Sequence, residues 1–502
     1  MDLSEINIYW RDYKFFPYEK KLALREIETL LSPAQIAVDN KKVTLKSFPS
    51  ASKIESLVYF SHAAIDNRFI ETRQNKAEHK NSGASKRQNT RYSVHGLHEY
   101  KGKFNPQVVR SLFNIYGISK SSRILDPFSG SGTTLVEASH IGAQGVGTDI
   151  NPLAVFIANT KIRTLGLEWL EIKEEFEHLI DIYTTKRPDF TLESETDTRI
   201  TYLKKWFPED VLLDIECLRL SSLELKNITN LVLVATSNLL RDYSYQEPKD
   251  LRIRRRKSPL PVIPLIEELK TKMDSVVVAM KDFQDNFGLI ESSNRALNTD
   301  INNCTPNQIP DDSIDFAITS PPYATALPYI DTQRLSLVWL SMVESKDIKG
   351  LETELIGSRE FKVKNEQDKW NSILVENSKN LPEEVHVFCK DLFLKLGAKD
   401  GFRKKAVPAL LYRYFFQMMN MFETVKGKLK PNSHFALIVG HNHTTIGGTR
   451  TDIDTPKLLV AIAESVGLEL SENTPLEVYH RYGINSQNAV NKESLIVFRK
   501  RK

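Results

Sequence analysis

The chain has 502 residues, 41% hydrophobic and 26% charged, which is too long for one ordinary core and predicts a globular protein of two or three domains. Its net charge of +4 is too small to mark a nucleic-acid binder, so that argument must come from local clusters. The longest apolar runs fall short of a membrane span and the Met1-Asp-Leu-Ser-Glu5 start lacks a signal peptide's basic and apolar regions, so a cytoplasmic location without membrane contact is expected.

Residues 1–91 read as an N-terminal extension, with the aromatic run Trp10, Tyr13, Phe15, Phe16 and Tyr18 and a helical stretch from Glu19 to Leu31. It is expected to pack on the main domain. Residues 80–91 hold four basic side chains and no acid, which suits either a solvated loop or a phosphate contact. His95 and His98 follow without a third ligand at metal spacing, and Cys217, Cys304 and Cys389 are far apart, so no metal is expected and the thiols should be reduced. A helix is predicted from Val108 to Tyr116.

The segment Arg123-Ile-Leu-Asp-Pro-Phe-Ser-Gly-Ser-Gly-Thr-Thr-Leu-Val-Glu137 reads as a buried strand, a tight turn allowed by Gly130 and Gly132, and the start of a helix. In an open parallel sheet such a turn borders the ligand crevice. Its residues exclude the commoner phosphate sites: no lysine follows the last glycine, and Leu135 stands where a dinucleotide fingerprint has its third glycine. Asp126 repels phosphate and suits a cationic amine. Nineteen residues after Gly130, the strand Gln144–Asp149 ends in an acid placed to accept two ribose hydroxyls. An adenosine joined to an amino acid satisfies both carboxylates. Asn151 and Pro152 then cap a helix from Leu153 to Lys161, which sets Ile150 and Asn151 beside the adenine.

Residues 166–290 change character. Amphipathic patterns at Leu170–Tyr183 and Leu265–Phe287 flank the apolar run Ile228–Ser237, which predicts a mostly helical insertion. It carries the basic run Arg252-Ile-Arg-Arg-Arg-Lys257. Sheet structure resumes at Ala296, a polar loop spans Asp300 to Asp312, and the strand Ile314–Thr319 delivers Ser320-Pro-Pro-Tyr323 to the edge that holds the glycine turn. Beyond it come a helix Tyr329–Met342, a polar insertion at 343–405, a helix Ala406–Leu429, and strands at Lys430–Gly440 and Glu493–Arg499.

Two motifs together carry a family resemblance. Leu125-Asp-Pro-Phe-Ser-Gly-Ser-Gly-Thr-Thr134 with Gly147-Thr-Asp-Ile-Asn-Pro152 resembles the S-adenosylmethionine site of methyltransferases acting on amino groups of nucleic-acid bases. Asp315-Phe-Ala-Ile-Thr-Ser-Pro-Pro-Tyr323 resembles their catalytic motif, in the form commonest among cytosine-N4 DNA methyltransferases. The resemblance covers about 92–165 and 296–499. It implies an α/β, Rossmann-like class I methyltransferase sheet with a cofactor half at 92–165, a helical insertion at 166–290, and a catalytic half at 291–502. It also implies S-adenosylmethionine as cofactor, double-stranded DNA as partner, and a cognate restriction endonuclease or defence-system protein as companion. By match to the family motifs, Lys103, Phe104 and Pro106 enclose the methionine end, and Asp126, Pro127, Phe128, Gly130, Gly132, Thr133 and Thr134 form the turn. Asp149, Ile150 and Asn151 hold the adenosine, and Asp300, with Asn303 as rival, meets the adenine amino group.

The catalytic residue types suit the chemistry. A base's exocyclic amine is a poor nucleophile, but Ser320 and the Pro321 carbonyl would accept its two hydrogens, Pro321 and Pro322 would stiffen those acceptors, and Tyr323 would stack on the flipped base. A cytosine-C5 enzyme needs a cysteine after proline, whereas here the cysteines follow Glu216, Asn303 and Phe388. The order, cofactor motif first and catalytic motif after a long insertion, is that of the alpha group, in which the insertion reads the target. Arg252, Arg254, Arg255 and Arg256 are therefore the expected phosphate contacts, with 343–405 or the N-terminus as the competing surface. Adenine N6, an RNA guanine-N2 activity and a non-catalytic DNA-binding protein are the alternatives to cytosine N4.

Overall fold

The structure is a computed structural model that describes residues 4–48, 50–65, 68–78, 88–100, 102–192, 197–250, 253–324, 329–363, 365–477 and 492–501. The first part forms an antiparallel sheet of β1 (Ser4–Trp10), β2 (Gln35–Val38), β3 (Lys42–Ser47), β4 (Phe60–Ile65) and β5 (Arg68–Glu71), in the order β2-β3-β1-β4-β5. Alternation along β1 buries Ile6, Ile8 and Trp10 on one face. Helix Pro17–Leu31 packs on helix Pro106–Ile115, and Leu22 and Ile27 share one core with Leu112, Phe113 and Phe316. The extension is thereby fused to the main sheet through apolar contact.

The main sheet contains β6 (Arg123–Asp126), β7 (Gln144–Asp149), β8 (Arg295–Asn298), β9 (Ile314–Thr319) and β10 (Leu429–Gly440). A hairpin of β11 (Asn442–Ile446) and β12 (Thr449–Ile453) interrupts the chain before β13 (Leu468–Glu477) and β14 (Lys492–Lys500) complete the sheet. The order is β13-β14-β10-β9-β6-β7-β8, with β6 to β10 parallel and β14 antiparallel to both its neighbours. From β6 the chain runs outward through β7 to β8, then returns to β9 on the other side of β6. That reversal opens a crevice beyond the ends of β6 and β9, where the glycine turn and Ser320-Pro-Pro-Tyr323 emerge together.

The insertion at 166–290 is helical: Trp169–Lys186, Thr198–Leu203, Glu209–Ser222, Thr229–Leu239 and Leu265–Phe287. The apolar run at 228–237 lies in the fourth of these helices, with Leu231, Val232, Val234 and Ala235 buried. Together they form one core with Val136, Leu153 and Ile157 of the helices that flank β6 and β7. The polar insertion after 343 is also helical, with Ile348–Glu354, Glu366–Glu376 and Glu383–Leu394 preceding a long helix, Phe402–Lys428. That helix starts four residues before the expected Ala406, with Gly401 as its N-cap, and it carries Pro408 in its interior. No helix among the described residues is long and apolar enough to cross a membrane.

Candidate active site

The turn after β6 is built by two left-handed glycines. Gly130 has φ +48° and packs under the Tyr100 ring, while Gly132 has φ +81° and would place a Cβ 2.7 Å from that of Ala158. Glycine at 132 therefore lets helix Thr133–His140 abut helix Pro152–Thr164. Beneath the turn, the buried Lys161 donates from Nζ to the Ser131 carbonyl at 3.1 Å, and burial lowers its pKa.

Asp149 closes the turn from the neighbouring strand. Its Oδ2 accepts from the Gly130 amide and its Oδ1 from the Asn151 amide, both at 2.9 Å. Two backbone donors thus fix the direction of the carboxylate, and burial raises its pKa to about 6. Asn151 caps the next helix through the Leu153 amide at 3.1 Å, and its own amide donates to Gln333. Asn151 is thereby tied to helix Tyr329–Trp339, which follows Ser320-Pro-Pro-Tyr323.

These elements surround a cleft open to solvent. It is lined by Lys103 and Phe104, by Pro127, Phe128, Gly130 and Thr133 of the turn, by Asp149, Ile150, Asn151 and Asp300, and by Ser320 and Pro322. Burial lowers the Lys103 pKa to about 8, and its ammonium donates to the His95 carbonyl at 3.1 Å. Asp300 caps a short 3₁₀ turn by accepting from the Asn302 amide, and it lines the cleft whereas Asn303 does not.

Other expected site residues stand behind this surface. Asp126 is fully buried and accepts from Thr134 at 2.6 Å, from Thr319 at 2.7 Å and from the Phe128 amide at 3.2 Å. The expectation that it faces a cationic amine is corrected: its hydrogen bonds run to the turn and to the catalytic strand, and burial raises its pKa to about 6. Thr134 serves Asp126, Gly132 serves helix packing, and Pro106 and Pro321 are buried under the cleft wall and the catalytic loop. The Tyr323 hydroxyl donates to Glu493 Oε1 on β14 at 2.9 Å, which anchors the end of its ring.

Several lining residues carried no sequence signal of their own. Tyr100, Gly102, Ser129, Ser131, Thr299 and Ile301 flank motif positions, but Glu354, Leu355 and Ile356 come from the second insertion, which folds over the cleft. Gly357, at φ +80°, approaches the catalytic loop so closely that a Cβ would lie 2.7 Å from the Tyr323 carbonyl oxygen. His95 departs from the expectation of an ordinary loop histidine. It lies 2.8 Å from the buried Glu137, His140 lies 3.1 Å from the same oxygen, and Tyr92 donates to it at 2.8 Å. Arg110 stands 3.5 Å from the other oxygen, so this grouping of possible metal ligands is also a neutralised buried carboxylate.

In the basic run, Arg252 lies outside the described residues. Arg256 donates to the carbonyls of Asp242, Ser244 and Ser258, and Arg254 pairs with Asp250 at 3.0 Å. Arg255 stacks 4.5 Å over the Trp206 ring and donates to the Lys205 carbonyl. Each thus has an intramolecular role in holding its loop on the helical insertion.

Residues 5–160 match the family model N6_N4_Mtase, described as DNA methylase. That segment is similar to the N6/N4 DNA methylase family. The match takes in the antiparallel N-terminal sheet as well as the glycine turn and Asp149. The chain is similar to Type II methyltransferase M.BsoBI of Geobacillus stearothermophilus, 24% identical over 82% of this chain and 85% of that one. It is 23% identical to Type II methyltransferase M.MvaI of Kocuria varians over 73% of this chain and 80% of the relative. A shorter stretch, 14% of the chain, is 36% identical to 22% of the tRNA (guanine(10)-N2)-dimethyltransferase of Methanothermobacter thermautotrophicus.

Proposed function

We propose that this DNA methylase transfers a methyl group to the exocyclic N4 of cytosine in duplex DNA, with S-adenosylmethionine as donor. The observation that carries the reading is that Ser320 and Pro322 line the same cleft as Lys103, Asp149 and Asp300. The donor set matches the cofactor group by group. Asp149 offers acceptors for ribose hydroxyls, Asp300 an acceptor for the adenine amino group, Ile150 and Ile301 apolar walls, and Lys103 a cation for the amino-acid carboxylate. When bound, S-adenosylmethionine supplies a methyl group activated by its sulfonium.

The chain's own residues do the rest. The Ser320 hydroxyl and the Pro321 carbonyl accept the two hydrogens of the amine and so orient its nitrogen toward the cleft. The proline pair holds those acceptors rigid, a positioning contribution rather than a basic one. Thr319, immediately before Ser320, is bonded to Asp126, so the catalytic loop and the glycine turn share one buried anchor. Tyr323 meets the ring of the flipped base, with its phenol held by Glu493. Two relatives matched over most of their length are type II methyltransferases, which supports a place beside a cognate restriction endonuclease.

Adenine N6 is the second reading, because the matching family description spans N6 and N4. Mass spectrometry of nucleosides from cells expressing the protein separates the two. N4-methylcytosine is expected, and N6-methyladenine alone would overturn the choice of cytosine.

A further inference from the structure

We propose that the turn between helices Glu383–Leu394 and Phe402–Lys428, docked on the β11–β12 hairpin, grips the backbone of duplex DNA beside the cleft. This rests on the DNA-methyltransferase reading and assigns it a contact surface.

Position is the first argument. β10 is parallel to β9 with Leu437 level with Thr319, so the end of β10 lies at the catalytic edge, and β11 follows directly. Asn442, the first residue of β11, donates to the carbonyl of Ala324, the residue after Tyr323. From there the hairpin extends five residues to Gly447, roughly 17 Å at strand rise, or about five base pairs along a duplex.

Charge is the second. Residues 395–405 contain five basic side chains, Lys395, Lys399, Arg403, Lys404 and Lys405, all exposed, and one acid, Asp400. That acid is buried, and its Oδ2 accepts from the amides of Gly397 at 2.9 Å and Gly447 at 2.8 Å. The carboxylate thus clamps the basic turn to the hairpin tip instead of facing solvent, although Lys404 lies 3.9 Å from its other oxygen. Gly447, at φ +59°, abuts the Lys395 carbonyl and leaves no room for a side chain in this junction. Phe402, 78% exposed among these cations, adds a ring for contact with sugars or bases. A rigidly mounted basic patch with an exposed aromatic, one hairpin length from the Ser320–Tyr323 loop, is complementary to a phosphate backbone. Arg254, Arg255 and Arg256 are instead engaged with their own insertion.

The test is fluorescence anisotropy of the full chain with a labelled 30-base-pair duplex across a salt series, beside calorimetry with S-adenosylmethionine. The triple variant Lys399→Gln/Arg403→Gln/Lys405→Gln should bind the duplex about tenfold to a hundredfold more weakly in about 0.1 M salt, with a log–log salt slope shallower by about 2.7. Its methyl-donor affinity should be unchanged, which shows that the fold is intact. Phe402→Ala should weaken binding with the slope preserved. A triple variant with wild-type slope and affinity overturns the proposal while leaving the enzymatic reading in place. Loss of slope in Arg254→Gln/Arg255→Gln instead would move the contact to the helical insertion and also overturn it. A wild type that ignores duplex DNA, or prefers a structured RNA of equal length, overturns the underlying reading itself.

Discussion

Replacing Asp149 by alanine tests the cleft where one side chain both completes the glycine turn and faces the expected ligand. Its two oxygens each accept one backbone amide, from Gly130 and Asn151, so the carboxylate is aimed before anything binds. Under the proposed function its remaining lone pairs accept two ribose hydroxyls, each worth roughly 1.5–3 kcal/mol as a bond to a charged group. Their joint loss, about 3–6 kcal/mol, raises Kd for S-adenosylmethionine on the order of a hundredfold to ten-thousandfold. Titration calorimetry reads this directly, and duplex affinity should be nearly constant. pH offers a second handle on the same group. Burial lifts its pKa to about 6, so it is ionised above that pH and progressively protonated below it. Hydroxyl donors favour the ionised form, so donor affinity should be full above about pH 6 and fall toward tenfold per unit below it. An alanine variant binding the donor within about threefold of wild type would refute the assignment. So would a wild-type Kd that is flat between about pH 7 and pH 5.

Tyr323→Phe removes the phenol's bond to Glu493, about 1.5–3 kcal/mol, and keeps the ring, whereas Tyr323→Ala also loses base stacking of about 1–3 kcal/mol. Turnover should therefore fall further for Ala than for Phe with donor affinity intact in both, and equal losses would argue against stacking. Gly357→Ala forces a Cβ to within 2.7 Å of the Tyr323 carbonyl at a left-handed φ, so methyl transfer should drop about tenfold or more, and unchanged turnover would remove this segment from the site. The raised pKa of Asp126, about 6, means that the fold favours its protonated form, so its contribution to stability is full at low pH and is lost as pH rises from about 4 to about 6, by roughly 3 kcal/mol. Asp126→Asn should abolish that loss, and a difference in unfolding free energy between wild type and variant that is constant across this window would contradict it.

The glycine turn, the acid ending the next strand and the Ser-Pro-Pro-Tyr loop were legible because their geometry is set by residues within a few positions of one another. Left-handed φ at Gly130 and Gly132, the Asn151 cap and the proline pair are local chemistry, and the helices around them appear within a few residues of their expected limits. Asp126 shows where local reading fails. Its residue type and place in the motif suggested a ligand contact, but whether a carboxylate faces a cleft or the core depends on the neighbouring strand, and β9 sets Thr319 against it from a distant part of the chain.

The same division runs through the rest of the molecule. The sequence by itself determined the strand-turn-helix at the glycine turn and the residue types at the crevice edge, because hydrophobic periodicity and turn chemistry act over short stretches, while the mostly parallel α/β sheet was implied by the family resemblance. Only the tertiary structure decided that Glu354–Ile356 fold over the cleft, that Glu493 holds Tyr323, and that the arginines at 254–256 bind their own insertion. It also decided that the basic turn at 395–405 is clamped to the tip of the hairpin whose first residue, Asn442, bonds to Ala324. Those outcomes rest on which buried apolar faces pair across hundreds of residues, and burial, being non-directional, leaves no local spacing that announces the partner.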